Sequence, residues 1–196
     1  YSAAGEIYHE ANNTSKAVEC FFRADNDEKL LSCQLVGLLN ETFGALSYTE
    51  LAQTVLSRCS RAVLSRHPIS MLRLCLALFA GVDFDGFEAA LEQSRDILEE
   101  SGDPQLMGEW YMVSALREFP NIPAMKARYL AAEQLMSAPS ALFTPKEPYL
   151  FGTTSMWYLF YRTPGKMMET AEELREMLEV YDRLTNHHGA GAYELY

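Results

Sequence analysis

Residues 81–101, GVDFDGFEAALEQSRDILEES, determine how the chain is expected to fold. The Gly81-Val82-Asp83 turn opens a helix in which candidate core residues recur every three to four positions, which is the spacing of one helical face. These residues are Phe84, Phe87, Leu91, Ser94 and Leu98. Ala89 and Ala90 are small at the point where a neighbouring helix would approach. Because the apolar segment ISMLRLCLALFA directly precedes the turn, residues 69–101 are predicted to form a helical hairpin.

Helices and turns alternate in the same way along the rest of the chain. Thr14 or Ser15 is the expected cap of the second helix, and Ser47 or Thr49 should begin a helix that ends near Cys59. Further helices are predicted over residues 2–11, 15–24, about 28–40, about 104–118, about 122–137 and about 166–186, and the aromatic segment 149–162 is expected to be another. Residues 61–66, RAVLSR, are expected to form a further turn that leads to His67-Pro68. No segment shows the alternation typical of a strand.

Two groups of residues mark helix boundaries in this pattern. Pro68 disfavours helix at the residue before it. Gly102-Asp103-Pro104 supplies a C-terminal glycine, an N-cap aspartate and a proline at the first helical position.

The alternation of helices and turns predicts an all-α fold, a right-handed superhelix of antiparallel helical hairpins of the tetratricopeptide type, with about ten to eleven helices. Residues 1–196 are expected to form a single repeat domain. Because the chain begins at Tyr1 and ends inside a predicted helix, we expect it to be a fragment of a larger protein.

The composition excludes some functions and leaves others open. A formal net charge of −11 argues against direct nucleic-acid binding, because phosphate contacts need clustered Lys and Arg. The acidic surface is either simply solvated or a face for a basic partner. No apolar run approaches the roughly 20 residues that a membrane span needs.

The cysteines suggest a reducing compartment. The sequence contains four of them and no C-x-x-C motif. Cys20, Cys33 and Cys75 lie among apolar residues, so we expect free thiols buried in the fold. This expectation fits a cytoplasmic protein.

No motif in the sequence indicates an enzyme. A phosphate-binding G-x-x-x-x-G-K-[ST] loop, a G-x-S-x-G elbow and an H-E-x-x-H zinc motif are all missing. His187-His188 could bind a metal, but no acidic or thiol partner is in register, and a loop is the simpler interpretation. We therefore expect no catalytic residues, no cofactor and no metal.

Aromatic residues provide the one candidate binding surface. They are concentrated in residues 149–162, YLFGTTSMWYLFYR, and at positions 110–111. They either fill the space between helices or line an apolar groove for a small effector or a peptide. The candidate surface consists of Trp110, Tyr111, Tyr149, Trp157, Tyr161 and His188.

Three segments carry a resemblance to a known family. They are EIYHEANNTSKAVECFFRADN, LALFAGVDFDGFEAALEQSRDIL and FGTTSMWYLFYRTPGKMMETAEELREMLEVYDRLTNHHGAGAYELY. The series resembles the helical sensor region of large LuxR-type transcriptional regulators, relatives of the bacterial maltose regulator. The last segment is the most specific, although His187 stands where Gly or Asp is expected.

The resemblance implies a regulatory role within a larger protein. In such proteins a nucleotide-binding domain precedes the helical region, and a DNA-binding helix-turn-helix domain follows it. The helical region would receive an unknown small effector or partner protein and could take part in self-association. The alternative is a pure protein-interaction scaffold without a small-molecule ligand.

Overall fold

The computed structural model of the chain describes residues 1–144 and 158–188, and this part is mostly helical. Two compact units are present, unit 1 over residues 1–102 and unit 2 over residues 103–196. The prediction of an all-α class is confirmed at this level. That residues 1–196 form one repeat domain stays a prediction.

Unit 1 contains seven helices and one short β-ladder within its described residues. The helices are α1 (Ser2–Glu10), α2 (Thr14–Arg23), α3 (Asp27–Ser32), α4 (Tyr48–Arg58), α5 (Arg61–Arg66), α6 (Pro68–Ala80) and α7 (Phe84–Ser101). Strands β1 (Thr42–Phe43) and β2 (Leu46–Ser47) pair antiparallel between α3 and α4. No alternating pattern in the sequence indicated this two-residue ladder.

Three of the turns in unit 1 share one backbone structure. In each, a residue with left-handed backbone precedes an Asn or Asp whose side chain caps the next helix. The left-handed residues are Asn12, Asp25 and Val82, with φ of 55°, 51° and 64°, and the caps are Asn13, Asn26 and Asp83. The amide of each cap donates to the carbonyl five residues earlier at 2.9–3.0 Å. This is the Schellman arrangement, which satisfies carbonyls at the end of the preceding helix.

The cap of α2 differs from the predicted one. Asn13 Oδ1 accepts a hydrogen bond from the Lys16 amide at 3.2 Å, so the cap lies one residue before Thr14. Thr14 and Ser15 are consequently inside the helix. The capping of α4 follows the prediction, because Ser47 and Glu50 form a reciprocal capping box.

The α6–α7 hairpin predicted from residues 69–101 is confirmed. Helix α6 packs against α4 on one side and α7 on the other, and every residue from Ser70 to Leu78 is buried. On α7, Phe87, Leu91 and Leu98 face this core as predicted. Phe84 does not, since 52% of its surface is exposed.

The helix predicted over residues 28–40 is much shorter in the structure. α3 ends at Ser32, and Gln34 and Leu35 take left-handed backbone angles. Side chains of α6 hold this turn, because Ser70 Oγ donates to the Leu31 carbonyl at 2.6 Å and Arg73 donates to the Gln34 carbonyl. Leu35 and Leu38 are still buried beyond the end of α3, although the backbone that carries them is not helical.

Unit 2 is built on a central helix. Its described elements are α8 (Pro104–Ser114), a 3₁₀ turn (Ala115–Glu118), α9 (Ile122–Leu135) and α10 (Met167–Leu184). α9 packs against α8, the 3₁₀ turn and α10. Leu174, Leu178 and Tyr181 of α10 are buried, but Met167, in helical register with them, is 51% exposed.

The loop after α9 is held by two side chains one helical turn apart on α8. Gln105 Oε1 accepts hydrogen bonds from the amides of residues 137 and 138, at 2.9 and 3.1 Å. Glu109, 1% exposed, accepts from Ser140 Oγ and the Ala141 amide, both at 2.5 Å. The Ser140 amide in turn donates to the Leu184 carbonyl of α10 at 2.7 Å. This loop therefore ties α8 to α10.

Within the part of the chain that the structure describes, no helix combines the length and the apolar character needed to cross a lipid bilayer.

Candidate functional site

The six residues predicted as a binding surface are not gathered at one place in the described structure. Tyr149 and Trp157 lie outside the described residues. Trp110 is 3% exposed and packs edge-to-face on the neighbouring Tyr111, with ring centroids 5.2 Å apart. For Trp110, this burial favours the interpretation that the ring fills the core.

Tyr161 and His188 have local structural partners. The hydroxyl of Tyr161 accepts a hydrogen bond from the Gly165 amide at 3.0 Å. His188 Nδ1 lies 2.7 Å from the hydroxyl of Tyr181, and the His188 ring lies beside Phe143 at 6.0 Å. Tyr181 also packs on the buried Tyr129, with centroids 5.5 Å apart. His188 thus joins an aromatic core cluster of unit 2.

A different feature, in unit 1, has the shape of a binding site. It is an apolar groove of about 250 Å³, here named the α4–α7 groove. Gln53, Leu56 and Ser57 of α4 form one wall, Gly86, Ala89, Ala90 and Gln93 of α7 form the other, and Leu78 of α6 lies between them. The small side chains of α7 leave this space open.

Hydrogen bonds at one end of the groove fix its two walls. Asp83 Oδ1 caps α7 through the Gly86 amide at 3.0 Å, and Asp83 Oδ2 accepts from Gln53 Nε2 of α4 at 2.8 Å. A Cβ on Gly86 would lie 2.2 Å from Asp83 Oδ2, so a larger residue would push this carboxylate out of its position between the two helices. The groove is therefore a built feature of the α6–α7 hairpin and α4.

Close packing between α4 and the α6–α7 turn stabilises the same end of the groove. Thr49 Oγ1 donates to the Ala77 carbonyl at 3.2 Å. A Cβ on Gly81 would lie 2.0 Å from Thr49 Oγ1. Gly81 has an ordinary φ of −83°, so it is required for the close approach of α4 and not for its backbone angle.

Two apolar side chains next to Asp83 are exposed to solvent. Val82 is 68% exposed and Phe84 is 52% exposed, and the Phe84 ring packs on Phe79 at 5.8 Å. Val82 also has a left-handed backbone, which is unfavourable for a β-branched residue. This end of the groove therefore presents apolar surface to solvent.

A second concavity, an open basin of about 550 Å³, lies where the α2–α3 turn meets the end of α4. Three of the charged groups in its lining pair with one another. Arg58 donates to Asp27 at 2.7 Å and to Asp25 at 2.5 Å, and its guanidinium lies 4.8 Å from the centre of the Phe22 ring. Burial raises the pKa of the neighbouring Cys59 thiol to about 11. The basin is thus a structural contact between the turn and α4.

A cysteine–histidine contact and a histidine–aspartate pair among the described residues also connect parts of the fold. Cys33 Sγ lies 3.6 Å from His9 Nδ1, a contact that sequence spacing did not reveal. Burial raises the pKa of Cys33 to about 11, so the thiol is protonated near neutral pH and is a poor nucleophile. His187 pairs with Asp182 at 2.5 Å. Residues 1–144 and 158–188 contain no group of three or more His, Cys, Asp or Glu arranged to hold a metal ion.

Sequence reasoning missed the α4–α7 groove. The small size of Ala89 and Ala90 predicts close approach of a neighbouring helix of the same chain, whereas in the structure both residues line the groove. The positions of Gln53 and Ser57 on the opposite wall depend on how α4 packs on α6. No local pattern in residues 48–58 indicates this packing.

No protein family, no curated protein and no solved structure was found to match the chain.

Proposed function

We propose that the chain is the effector-sensing and protein-interaction helical region of a LuxR-type transcriptional regulator, and that the α4–α7 groove receives a segment of a partner polypeptide. The observation that carries the interaction role is the groove, whose apolar lining is reachable from solvent between two helices. Helix-in-groove recognition uses surfaces of this kind. The LuxR assignment rests on the resemblance of the three segments quoted above.

The proposal includes a larger architecture. The helical hairpins would belong to a right-handed superhelix, with a nucleotide-binding domain before it and a DNA-binding helix-turn-helix domain after it. The protein would be cytoplasmic, and this region would act as an interaction module and not as an enzyme.

Sequencing the gene on both sides of this region tests the LuxR assignment. A G-x-x-x-x-G-K-[ST] loop upstream and a helix-turn-helix downstream are expected. A gene that encodes neither would overturn the LuxR assignment.

A scaffold without a small-molecule ligand is the second candidate. It is favoured by the burial of Trp110 and by the packing of His188 in the aromatic core cluster. A thermal-shift screen with metabolites separates the two candidates, because a ligand that binds the folded state raises its melting temperature. A reproducible, concentration-dependent shift supports the effector-sensing form, and a screen without one supports the scaffold.

Peptide selection tests the groove directly. A random-peptide display library is selected on the wild-type chain, on Ala89→Trp and on Ala3→Trp. Ala89 and Ala3 are both exposed helical alanines, so the two tryptophans add similar bulk, but only Ala89 lines the groove. Peptides that bind wild type and Ala3→Trp but not Ala89→Trp are expected. If no peptide shows this dependence, the groove is not a polypeptide-binding site.

A further inference from the structure

The negative charge of unit 1 is concentrated on α7, the helix that forms one wall of the α4–α7 groove. Residues 1–102 contain 15 Asp and Glu against 8 Lys and Arg, a formal net charge of −7. Helix α7 with its cap holds seven of the acidic residues, at positions 83, 85, 88, 92, 96, 99 and 100, and one basic residue, Arg95. This single helix therefore accounts for −6 of the −7.

Part of this charge is neutralised within the unit. Glu99 pairs with Arg95 at 2.7 Å, and Glu100 pairs with Arg61 at 2.8 Å. Both pairs lie toward the C-terminal end of α7. Asp85 and Asp96 are exposed, and neither forms an ion pair with any residue in 1–144 or 158–188.

Helical geometry places Asp85 and Asp96 beside the groove. Ala89 lines it, and residues three, four and seven positions away lie on the same side of a helix. Asp85 is four residues before Ala89, and Asp96 is seven residues after it. Glu92 is exposed and three residues after Ala89. The α7 edge of the groove is therefore acidic.

The opposite wall has a different character. Gln53, Leu56 and Ser57 of α4 carry no charge, and Leu78 between the walls is apolar. Arg58, the nearest cation along α4, is held by Asp25 and Asp27. A ligand that matches the groove needs apolar side chains on the face that enters it and cations on the side next to α7.

We propose that the occupant of the α4–α7 groove is a basic amphipathic helix of a partner polypeptide, with apolar residues in the groove and Lys or Arg side chains along Asp85 and Asp96. This inference rests on the proposed interaction role of the groove. The exposed Val82 and Phe84 extend the apolar surface at the N-terminal end of α7. Complementary charge of this kind mainly accelerates association and selects the partner.

Defined peptides test the inference. The probe is a fluorescent peptide of about 18 residues, matching the 18 residues of α7 and roughly 27 Å long as a helix. It carries Leu at the i, i+3, i+4 and i+7 positions and Lys elsewhere. A second peptide replaces every Lys by Glu, and a third has the Lys and Leu residues in scrambled order. Fluorescence anisotropy measures binding at about 50 mM and about 300 mM NaCl, where screening differs strongly.

The expected result is binding of the amphipathic Lys peptide, at least tenfold weaker binding of the scrambled and Glu peptides, and weaker binding at the higher salt. Asp85→Lys/Asp96→Lys should weaken binding of the Lys peptide about tenfold or more. Glu10→Lys/Glu173→Lys makes the same change in net charge at exposed positions elsewhere and should change it less than about twofold. Circular dichroism establishes that each variant is folded.

The outcomes separate this inference from the function on which it rests. Equal effects of the two double variants would show a non-specific charge effect and overturn it. Groove-dependent peptides from the display selection that are neutral or acidic would also overturn it, while the interaction role would stand. If the selection yields no groove-dependent peptide at all, the proposed function fails and this inference fails with it.

Discussion

Replacing Phe87 by Ala should destabilise unit 1 much more than replacing Phe84 by Ala, although both rings pack on Phe79. The ring centroids lie 5.4 Å and 5.8 Å from that of Phe79. Phe87 is 1% exposed and Phe84 is 52% exposed. Truncating Phe87 loses the burial of a whole ring and leaves a cavity, which costs about 3–5 kcal/mol. Truncating Phe84 loses only about half the burial of a ring and lets water in, which costs about 1 kcal/mol.

Urea denaturation followed by far-UV circular dichroism measures both variants. Tryptophan fluorescence reports on unit 2 separately, because both tryptophans, Trp110 and Trp157, lie in residues 103–196. A loss of 3 kcal/mol lowers the urea midpoint by about 1–3 M for a slope of about 1–3 kcal/mol/M. If Phe87→Ala does not fold, Phe87→Leu keeps most of the apolar volume and should still cost more than Phe84→Leu. Equal losses at positions 84 and 87 would refute the assignment of their burial.

Four other residues give independent tests. Gly81→Ala should cost about 1–3 kcal/mol in urea denaturation, because the new Cβ meets Thr49; an equal loss in a Thr49→Ala background would place the clash elsewhere. Hydrogen bonds from Arg66 and His67 lower the pKa of Glu28 from 4.5 to about 2. The contribution of Glu28 to stability is therefore present above pH 4.5 and is lost as the pH falls through about 2. Glu28→Gln should therefore lower the melting temperature at pH 6 by more than at pH 2, as approximate test points, and a constant difference would contradict this. Burial raises the pKa of the Cys75 thiol to about 12, so mass spectrometry should find it alkylated only after unfolding; rapid alkylation of the native protein would show that it is accessible. Ser140→Ala removes a hydrogen bond to a buried carboxylate of α8 and should destabilise unit 2 by about 1.5–3 kcal/mol, measured by tryptophan fluorescence; a neutral effect would mean that the loop does not depend on it.

Residues that act through their own backbone or side chain made helix boundaries predictable. Gly102 takes a left-handed φ of 66°, Asp103 caps α8, and Pro104 is its first residue, as the sequence indicated. Ser47 and Glu50 form the capping box at the start of α4. Each of these effects is local, so it can be recognised within four or five consecutive residues of the sequence.

Periodicity was less informative about which side chains are buried. Phe84 and Met167 each stand at the beginning of a helix, in register with buried residues further along. Both are exposed, because a spacing rule records the direction of a side chain and not whether another element lies opposite it. The helix predicted over residues 28–40 ends early for a related reason. The carbonyls of Leu31 and Gln34 accept hydrogen bonds from Ser70 and Arg73, 39 residues away in the sequence. No rule based on neighbouring residues identifies such distant partners.

The candidate site was the least predictable part. The α4–α7 groove needs residues between positions 53 and 93 from three helices, and it exists because Gly86 and Ala89 are small where α7 passes α4. The sequence shows these small residues but does not show whether a helix of the same chain or an outside partner fills the space beside them. By contrast, Trp110 suggested a surface through its residue type, but burial places it in the core of unit 2.

The shared turn structure of unit 1 has a consequence for how the protein is made. Each of these turns closes with hydrogen bonds that span at most five residues, and it joins helices that are consecutive in the chain. The α1–α2 pair is complete once Arg23 has been synthesised, and the α6–α7 pair once Ser101 has been synthesised. Contacts that are local in sequence favour rapid folding, and folding can proceed from the N-terminus during translation. We therefore expect these pairs to form in order as the chain leaves the ribosome, before residues 103–196 have emerged.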